Sequence, residues 1–436
     1  MAQDFYELAT NQIARQPMTF MGGRVVQVSD GLVSVGGVSD SCRIGERVAI
    51  HSDESRRVGE IVRLTPNTAC ALIEGGTEGI AIGDMVRISA APKIYPDASW
   101  LGRVIDPDGA PLDGKPILQG RTSARLANTP PPAQQRKRLG VRLETGVAVF
   151  NTLLPIVRGQ RIGLFAGSGV GKSTLLGDLA CGVTADVVVV ALVGERGREV
   201  RQFVEDVLGP EGLAKSVVVA ATSDRSPQMR RRCAQTATAI AEHFRDQNLH
   251  VLLLVDSVTR FCEAHRETAI AAGEESRLRG FPASTAAAIA GLCERAGPGV
   301  DGSGDITAVF SVLVSGSDMD EPVADMLRGV LDGHVVLDRT IAERGRFPAV
   351  DVVRSVSRSL PQAASEIEND LIRKARQLLS AHDAAEMMIQ SGLYVSGSDP
   401  LTDKAVERFD DLEGFLAQKG TRDVMGHFAL LRRIVG

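Results

Sequence analysis

Residues 166–174 have the types and the spacing of a loop that binds phosphate. They read Ala-Gly-Ser-Gly-Val-Gly-Lys-Ser-Thr, between an apolar run typical of a buried strand and leucines at helical spacing. The glycines let the backbone turn its N–H groups inward, and the start of the helix adds positive charge. Since Lys172 can reach the β- and γ-phosphates and Ser173 can hold Mg²⁺, the pattern predicts a P-loop for a nucleoside triphosphate, against the alternative of an ordinary glycine-rich turn. The predicted nucleotide-binding residues of this loop are Gly167, Ser168, Gly169, Val170, Gly171, Lys172, Ser173 and Thr174.

A second apolar run ends in a carboxylate. Hydrolysis of a phosphoanhydride requires a metal ion, a positioned water and a group that offsets the developing charge. Residues 251–256 read Val-Leu-Leu-Leu-Val-Asp, which is the form of a Walker B strand. Such runs also occur by chance, but the P-loop upstream favours a functional role. We predict that Asp256 holds Mg²⁺ through a water molecule.

A third apolar run, residues 187–193, leads into Gly-Glu-Arg-Gly-Arg-Glu at 194–199. A carboxylate at the carboxyl edge of a parallel sheet lies where such folds bind ligands. Glu195 can polarise the attacking water as a general base, and Glu199 can face the water shell of the metal. The alternative is that both glutamates pair with Arg196 and Arg198 on a solvated turn.

Two further segments contain polar residues whose role the pattern leaves open. Asp256 is followed by Ser-Val-Thr-Arg, which suits either a subunit interface or a charged helix face. Residues 355–358, Ser-Val-Ser-Arg, place a lone arginine on a turn before a helical region. An isolated arginine is usually a surface residue, so the spacing alone favours that interpretation of Arg358 over a catalytic one.

The elements that must position these residues fall into three regions. From about residue 18 to 92, short apolar or alternating runs recur between turn signals, which is typical of a small β-barrel. Strands alternate with helical segments from about 135 to 360, as in an α/β domain with a largely parallel sheet. Beyond residue 361 the pattern is helical, with a stop at Gly392 and a second helix beginning at Asp399-Pro400. We predict a barrel domain at 1–95, a P-loop ATPase domain at 96–360 with a connector at 96–135, and a helical domain at 361–436.

Length and composition describe an ordinary globular chain of several domains. Its 436 residues are 44% hydrophobic and 24% charged, with a formal net charge of −5. The first 95 residues contain 9 Lys/Arg against 11 Asp/Glu, so the barrel region offers no bulk attraction to nucleic acid or anionic lipid. The six cysteines form no CxxC pair, which argues against a zinc site and fits a reducing cytosol. No apolar run is long enough to span a bilayer, and residues 1–14 lack the pattern of a signal peptide.

Taken together, the motifs resemble those of the catalytic-subunit family of rotary ATP synthases, and most closely its type III export branch. The resemblance covers roughly residues 20–436 and rests on an ordered series of short motifs. They are AGSGVGKST at 166–174, GERGRE at 194–199, DSVTR at 256–260, GFP at 280–282, ERAG at 294–297, DMDEP at 318–322, LDGH at 331–334, FPAVD at 347–351 and SVSR at 355–358. The segment at 392–405 resembles flagellar and injectisome export ATPases rather than proton-driven synthases.

This resemblance implies a RecA-like central domain that hydrolyses ATP with Mg²⁺. Glu195 matches the general base of the family, and Phe347 matches an aromatic that stacks on adenine. Arg358 matches the arginine finger that completes the site of a neighbouring subunit. The implied residues are catalytic Lys172, Glu195 and Arg358, metal-binding Ser173, Asp256 and Glu199, and Phe347 at the nucleotide base.

The resemblance also implies partners and a place in the cell. The family forms rings of six with nucleotide between subunits, so we expect a homohexamer. We expect it in the cytoplasm, peripheral to the inner membrane, with a stator-like regulatory protein, a coiled-coil stalk protein, export-gate membrane proteins, and export substrates with their chaperones. One segment departs from the family pattern. Residues 273–286 lack prolines that the family often has, which predicts a looser loop facing the interior of the ring.

These observations favour a Mg²⁺-dependent ATPase that energises type III protein export, with a flagellar system preferred over an injectisome. A second hypothesis is a Rho-type nucleic-acid translocase, which shares the ATPase core and a barrel. Single-strand binders need a basic groove with aromatic platforms, and the acidic first 95 residues contain four aromatics, Phe5, Tyr6, Phe20 and Tyr95. A third is a non-catalytic nucleotide-binding ring subunit, which the presence of both Lys172 and Glu195 disfavours.

Overall fold

The structure, a computed structural model, describes Thr10 and residues 19–52, 56–314, 319–420 and 422–436. Phe5, Tyr6 and Asp318 of the sequence arguments lie outside these residues. Within them the strands are β1 Met21–Ser29, β2 Leu32–Gly36, β3 Arg47–His51, β4 Arg56–Leu64, β5 Thr68–Ile73, β6 Met85–Ser89, β7 Arg103–Ile105, β8 Arg161–Ala166, β9 Val187–Glu195, β10 Ser216–Thr222, β11 His250–Asp256, β12 Ser276–Leu278, β13 Phe281–Pro282, β14 Gly297–Pro298, β15 Asp305–Leu313, β16 Gly333–Leu337 and β17 Val350–Ser357. The helices are α1 Ala148–Asn151, α2 Lys172–Gly182, α3 Gly197–Gln202, which continues as a π-helical turn Phe203–Leu208, α4 Gly209–Ala214, α5 Pro227–Arg245, α6 Val258–Ala271, α7 Ser284–Cys293, α8 Pro322–Val330, α9 Arg339–Glu343, α10 Glu366–Gln390, α11 Pro400–Leu416 and α12 Val424–Val435.

The N-terminal strands close into a barrel in the order β1-β2-β5-β4-β3-β6, with antiparallel neighbours. In β2 the residues alternate, with Val33 and Val35 buried inside the barrel and their neighbours partly exposed. This period of two is what a half-buried strand produces. The six strands lie between residues 21 and 89, within the predicted region, and the predicted barrel is confirmed.

A second, mostly parallel sheet forms the centre of the molecule. Its order over the described residues is β17-β16-β8-β15-β11-β9-β10-β7, and only β17 and β14, which pairs with β15, run antiparallel to their neighbours. Strands β9 and β11 are buried almost throughout, because helices cover both faces of the sheet. The strand β7 comes from the predicted connector and joins the edge of this sheet, a pairing that the sequence pattern did not reveal. The mostly parallel α/β architecture is confirmed, and the domain limits stay a prediction.

Buried charge pairs join the barrel to the central sheet. On α5, Arg232 forms an ion pair with Glu60 of the barrel and donates to Asp108 Oδ1 at 2.8 Å. Nearby, the Gln228 side chain donates to the backbone oxygen of Leu72 at 2.9 Å. Removing one partner of a buried ion pair is costly, because the other charge is left without compensation. These contacts therefore hold the barrel to α5.

The C-terminal region is helical, as predicted. Helix α10 begins with a capping box formed by Ser365 and Glu368 and ends just before Gly392, whose φ is +70°. Helix α11 begins at the predicted position, with Asp399 accepting a hydrogen bond from the backbone of Thr402. A third helix, α12, packs against α10 and α11, and the sequence analysis did not anticipate it.

The segment predicted to be a loose loop contains a short antiparallel hairpin, β12 and β13. Arg279 and Gly280, between the two strands, both have positive φ, as a tight two-residue hairpin turn requires. Local strand pairing therefore gives this segment regular structure, although it keeps only Pro282 of the prolines that the family often has here. Among the helices in the described part of the chain, none is both long and apolar enough to cross a membrane.

Candidate active site

The predicted P-loop connects β8 to α2 at the carboxyl edge of the central sheet. Gly169 and Gly171 have φ of +77° and +86°, which only glycine adopts without strain. Val170 is buried, whereas Ser173 and Thr174 are exposed on the first turn of α2. The start of α2 is thus open on the side where a helix N-terminus attracts phosphate.

The lysine of the loop bonds to the carboxylate at the end of β11. Lys172 Nζ forms a hydrogen-bonded ion pair with Asp256 Oδ1, and Asp256 is 2% exposed. The hydroxyl of Ser311, on the neighbouring strand β15, donates to the same carboxylate oxygen at 2.7 Å. Parallel pairing of β11 with β15 brings these groups to one level of the sheet. The structure therefore assembles the P-loop lysine and the Walker B aspartate.

Glu195 lies at the end of β9, beside this pair. Its Oε1 is 3.8 Å from Lys172 Nζ. Burial raises the pKa of Glu195 to about 7, with the charge of Asp256 adding to the rise and that of Lys172 opposing it. A carboxyl group with a pKa near neutrality can both accept and release a proton under physiological conditions, as a general base must.

Glu199 lies on the short helix α3, at the exposed rim of the site. A hydrogen bond with Glu195 is the main cause that lowers the pKa of Glu199, and Arg196 contributes to the same effect. Arg196 Nη1 is 3.4 Å from Glu199 Oε1, and both side chains are exposed. The pairing that the sequence analysis considered as an alternative is thus present for Glu199, whereas Glu195 faces Lys172.

Phe347 lies beside the P-loop, next to Gly171. A Cβ atom placed on Gly171 would approach the Phe347 ring to 3.0 Å, so the ring packs against the turn of the loop. The side chain is nonetheless 43% exposed. A large aromatic that is exposed beside a phosphate-binding loop offers a face on which a base can stack.

Arg358 lies at the opposite edge of the same sheet. It follows β17, which runs antiparallel to β16, and its backbone N–H donates to Asp332, before the start of β16. Its side chain donates to the carbonyl of Leu331 at 3.0 Å, and the residue is exposed. The six residues of β8, at about 3.3 Å each, separate the two edges by roughly 20 Å. Within one chain, Arg358 does not meet Lys172 or Glu195.

The structure also adds residues that the sequence analysis did not assign. Ser311 is the one polar residue within the otherwise apolar residues 308–314, and that position was the available signal. Arg260, whose role the sequence left open, pairs with Glu263 at 2.9 Å, and its charge lies close enough to Glu195 and Glu199 to be influenced by them. These residues surround the carboxylates with donors and positive charge.

The side chains at this edge of the sheet fit a magnesium ion that is bound together with its nucleotide. Among the described residues, no group of three or more His, Cys, Asp and Glu side chains could hold a metal ion alone. Mg²⁺ usually binds through one or two carboxylates together with the phosphates of its nucleotide, and it keeps several waters. A hydroxyl at the start of α2 and a buried carboxylate at the end of β11 fit that mode of binding.

Comparisons with known proteins cover most of the chain. Family models match residues 23–89 (ATP synthase alpha/beta family, beta-barrel domain), 146–357 (ATP synthase alpha/beta family, nucleotide-binding domain) and 364–425 (T3SS EscN ATPase C-terminal domain). The chain is 45% identical over 410 residues to the flagellum-specific ATP synthase of Caulobacter vibrioides, covering 92% of each chain. It is 43% identical over 405 residues to a type 3 secretion system ATPase of Sinorhizobium fredii, covering 91% of this chain and 88% of that protein. A solved structure of the assembled ATPase EscN with its central stalk EscO, from the enteropathogenic E. coli type III secretion system, matches with a TM-score of 0.84 and 35% identity over 95% of this chain and 100% of that one.

Proposed function

Because the chain belongs to the ATP synthase alpha/beta family, together with its flagellum-specific and type III secretion ATPases, we propose that it hydrolyses ATP with Mg²⁺ to energise the export of flagellar proteins. It is an ATPase of this family that serves flagellar or type III export. The metal, the acting residues and the system are our proposal. The observation that carries it is the meeting of Lys172 with Asp256 and Glu195 at one edge of the sheet.

The side chains at this edge divide the work of hydrolysis. Lys172 neutralises charge on the β- and γ-phosphates from the start of α2. Glu195 accepts a proton from the attacking water, since its pKa of about 7 leaves it usable as a base at neutral pH. Mg²⁺ supplies charge compensation on the phosphates when it is bound. We assign Ser173, Asp256 and Glu199 as the side chains that hold it, directly or through water.

The site requires one more positive charge, which we assign to Arg358 of a second copy of the chain. Phosphoryl transfer develops charge that arginine fingers compensate in related ATPases. Arg358 is exposed at the edge opposite its own P-loop, where a neighbouring subunit can reach it. We propose a homohexameric ring with a shared site at each interface, and the solved relative, an assembled ATPase, supports an assembly of this kind.

The other partners follow from the same proposal. The solved relative carries a central stalk, which supports a coiled-coil stalk protein for this chain. We further assign a stator-like regulatory protein, export-gate membrane proteins and export substrates with their chaperones, at the cytoplasmic face of the inner membrane. The acidic N-terminal region disfavours a nucleic-acid partner.

The choice of a flagellar system rests on a small difference in identity, 45% against 43% for the two relatives described above. An injectisome is the alternative. The residues at the site are compatible with either system, because both would use the same hydrolysis.

Lys172→Ala tests the proposal in two settings. The purified variant should lose ATP hydrolysis and bind ATP more weakly, because the loop at 166–174 would lose its basic side chain, which neutralises charge on the phosphates. In the source bacterium, the variant should fail to restore motility to a strain that lacks the gene, whereas the wild-type gene restores it. Unchanged hydrolysis would remove the P-loop assignment. Intact motility in the null strain, with loss of injectisome secretion, would favour the alternative system.

A further inference from the structure

The segment that carries Phe347 is attached to the C-terminal helices through an arginine. Arg346 Nε donates to Glu413 Oε2 of α11 at 2.9 Å. Its two other nitrogens donate to the backbone oxygens of Pro348 and Val350, at 3.1 and 3.0 Å. One guanidinium thus joins the backbone that follows the aromatic to a carboxylate from another region of the chain.

This arginine is buried. The Arg346 side chain is 7% exposed, and that of Glu413 is 22% exposed. A charged fork that donates to a carboxylate and two carbonyls has a defined geometry, which lysine or a neutral partner does not reproduce. If Glu413 loses its charge, the buried guanidinium is left without its counter-ion and the segment loses its anchor.

The interface between residues 338–353 and the C-terminal helices is incompletely packed, so the pair of Arg346 and Glu413 is an important contact across it. A cavity of about 220 Å³ separates residues 338–353 from α10 and α11, and its lining includes Asp351, Asp383 and Phe409. Apolar packing therefore does not fill the whole interface. Besides the pair of Arg346 and Glu413, one other ion pair among the described residues, Arg344 with Glu386, crosses from α9 and its following turn to the C-terminal helices.

We propose that Arg346 and Glu413 form a positioning pair, through which the C-terminal helices hold Phe347 against the nucleotide base. The hydrogen-bond partners of Arg346 are Glu413 and the backbone of Pro348 and Val350, not Lys172, Glu195 or Asp256, so the pair acts on affinity for the base and not on the chemical step. The inference rests on the proposed function, since it needs ATP at the P-loop with its base at Phe347. It also implies that a movement of α11 changes the affinity for ATP.

Glu413→Gln is the test variant, and Glu407→Gln is the matched control. Both residues lie on α11, but Glu407 is 67% exposed and pairs with its neighbour Arg408. Dissociation constants are measured for ATP and for inorganic tripolyphosphate, which has no base. Base stacking is worth about 1–3 kcal/mol, so we expect Glu413→Gln to weaken ATP binding by roughly fivefold or more. Binding of tripolyphosphate and the kcat for ATP should change by less than about twofold, as should all properties of Glu407→Gln.

A double variant shows whether Glu413 acts through Phe347. Phe347→Ala should weaken ATP binding by itself. Adding Glu413→Gln to it should cause little further loss of affinity, because the aromatic face for the base is already removed. Additive losses, or equal losses for ATP and tripolyphosphate, would overturn the positioning role. If Glu413→Gln does not fold, Arg346→Lys replaces it, because it keeps the charge and loses the fork.

The same data separate this inference from the proposed function. If the wild-type chain binds ATP and Glu413→Gln matches Glu407→Gln, the positioning pair is wrong and the ATPase assignment stands. If the wild-type chain shows the same affinity for ATP and tripolyphosphate, no base is recognised and the inference fails. If it neither binds nor hydrolyses ATP, the proposed function itself fails.

Discussion

The two edges of the central sheet differ in what they hold. At the carboxyl edge, Lys172, Glu195 and Asp256 come from three strands or their following turns and meet within bonding range. At the opposite edge, Arg358 is held by backbone carbonyls and faces outward. One chain therefore places its acidic and phosphate-binding groups at one edge and its candidate finger at the other. Because the two edges lie roughly 20 Å apart, Arg358 can act on a nucleotide only in a second copy of the chain, as we propose.

Among the variants that test this difference between the two edges, Arg358→Ala should cause the largest loss of ATP hydrolysis. Arginine fingers contribute about 10³–10⁵ in rate, so we expect a loss of at least roughly 10³ in kcat with ATP binding retained. Arg432→Ala, on the exposed side of α12, serves as the control and should hydrolyse ATP normally.

A mixture of subunits decides whether the two edges belong to different sites. In rings that mix Arg358→Ala with Lys172→Ala, some interfaces combine an intact P-loop with an intact arginine, and partial activity should reappear. If the two variants are shown to assemble together and no hydrolysis returns, Arg358 either acts within its own subunit or has only a structural role.

The next largest effect is expected at the carboxyl edge, from Glu195→Gln. The amide keeps the shape but cannot accept a proton, and general bases contribute about 10²–10⁴ in rate, so hydrolysis should fall by a factor in that range while ATP still binds. In the wild type, kcat/KM should rise with pH through about 7, because the deprotonated carboxylate is the active form and burial raises its pKa to that value. Nearly unchanged turnover at saturating ATP would rule out Glu195 as the base and direct attention to Glu199. A pH profile that is flat between 6 and 8 would remove the same assignment.

The smallest effect is expected from Ser311→Ala, because Ser311 acts on the site only through its hydrogen bond to Asp256. The hydroxyl donates to Asp256, and a hydrogen bond to a charged group contributes about 1.5–3 kcal/mol, so a loss of roughly ten- to a hundredfold in activity at limiting Mg²⁺ is expected. Ser216→Ala removes an equally buried hydroxyl at the other edge of the sheet and should leave hydrolysis unchanged. Equal effects of the two variants would show that Ser311 contributes only to stability.

Local sequence was sufficient for most of the elements and for the positions of the candidate site residues on them. The alternating runs of residues 18–92 predicted a barrel, and the apolar runs before Glu195 and Asp256 predicted buried parallel strands. The P-loop was visible because it needs glycines in the left-handed conformation followed directly by a helix. The start of α11 was visible for a similar reason, since Asp399 and Pro400 are local capping signals. In each case the determining interactions lie within a few residues.

Other features required the tertiary structure. The strand β7 joins the central sheet by pairing with β10, which lies more than a hundred residues further along the chain. No local sequence pattern predicts such a distant partner. The bond from Ser311 to Asp256 exists because β15 lies beside β11, and the bond from Arg346 to Glu413 exists because α11 folds back over the sheet.

The sequence by itself determined which residues can bind phosphate, activate water or compensate charge, because those capacities depend on side-chain type and on the turn that carries it. Only the tertiary structure decided which of them share a site. The parallel pairing of β9, β11 and β15 brings Glu195, Asp256 and Ser311 to one edge, and the antiparallel β17 carries Arg358 to the other. The direction in which a strand runs through a sheet sets the edge at which its last residue lies, and that direction is fixed by partners distant in the chain.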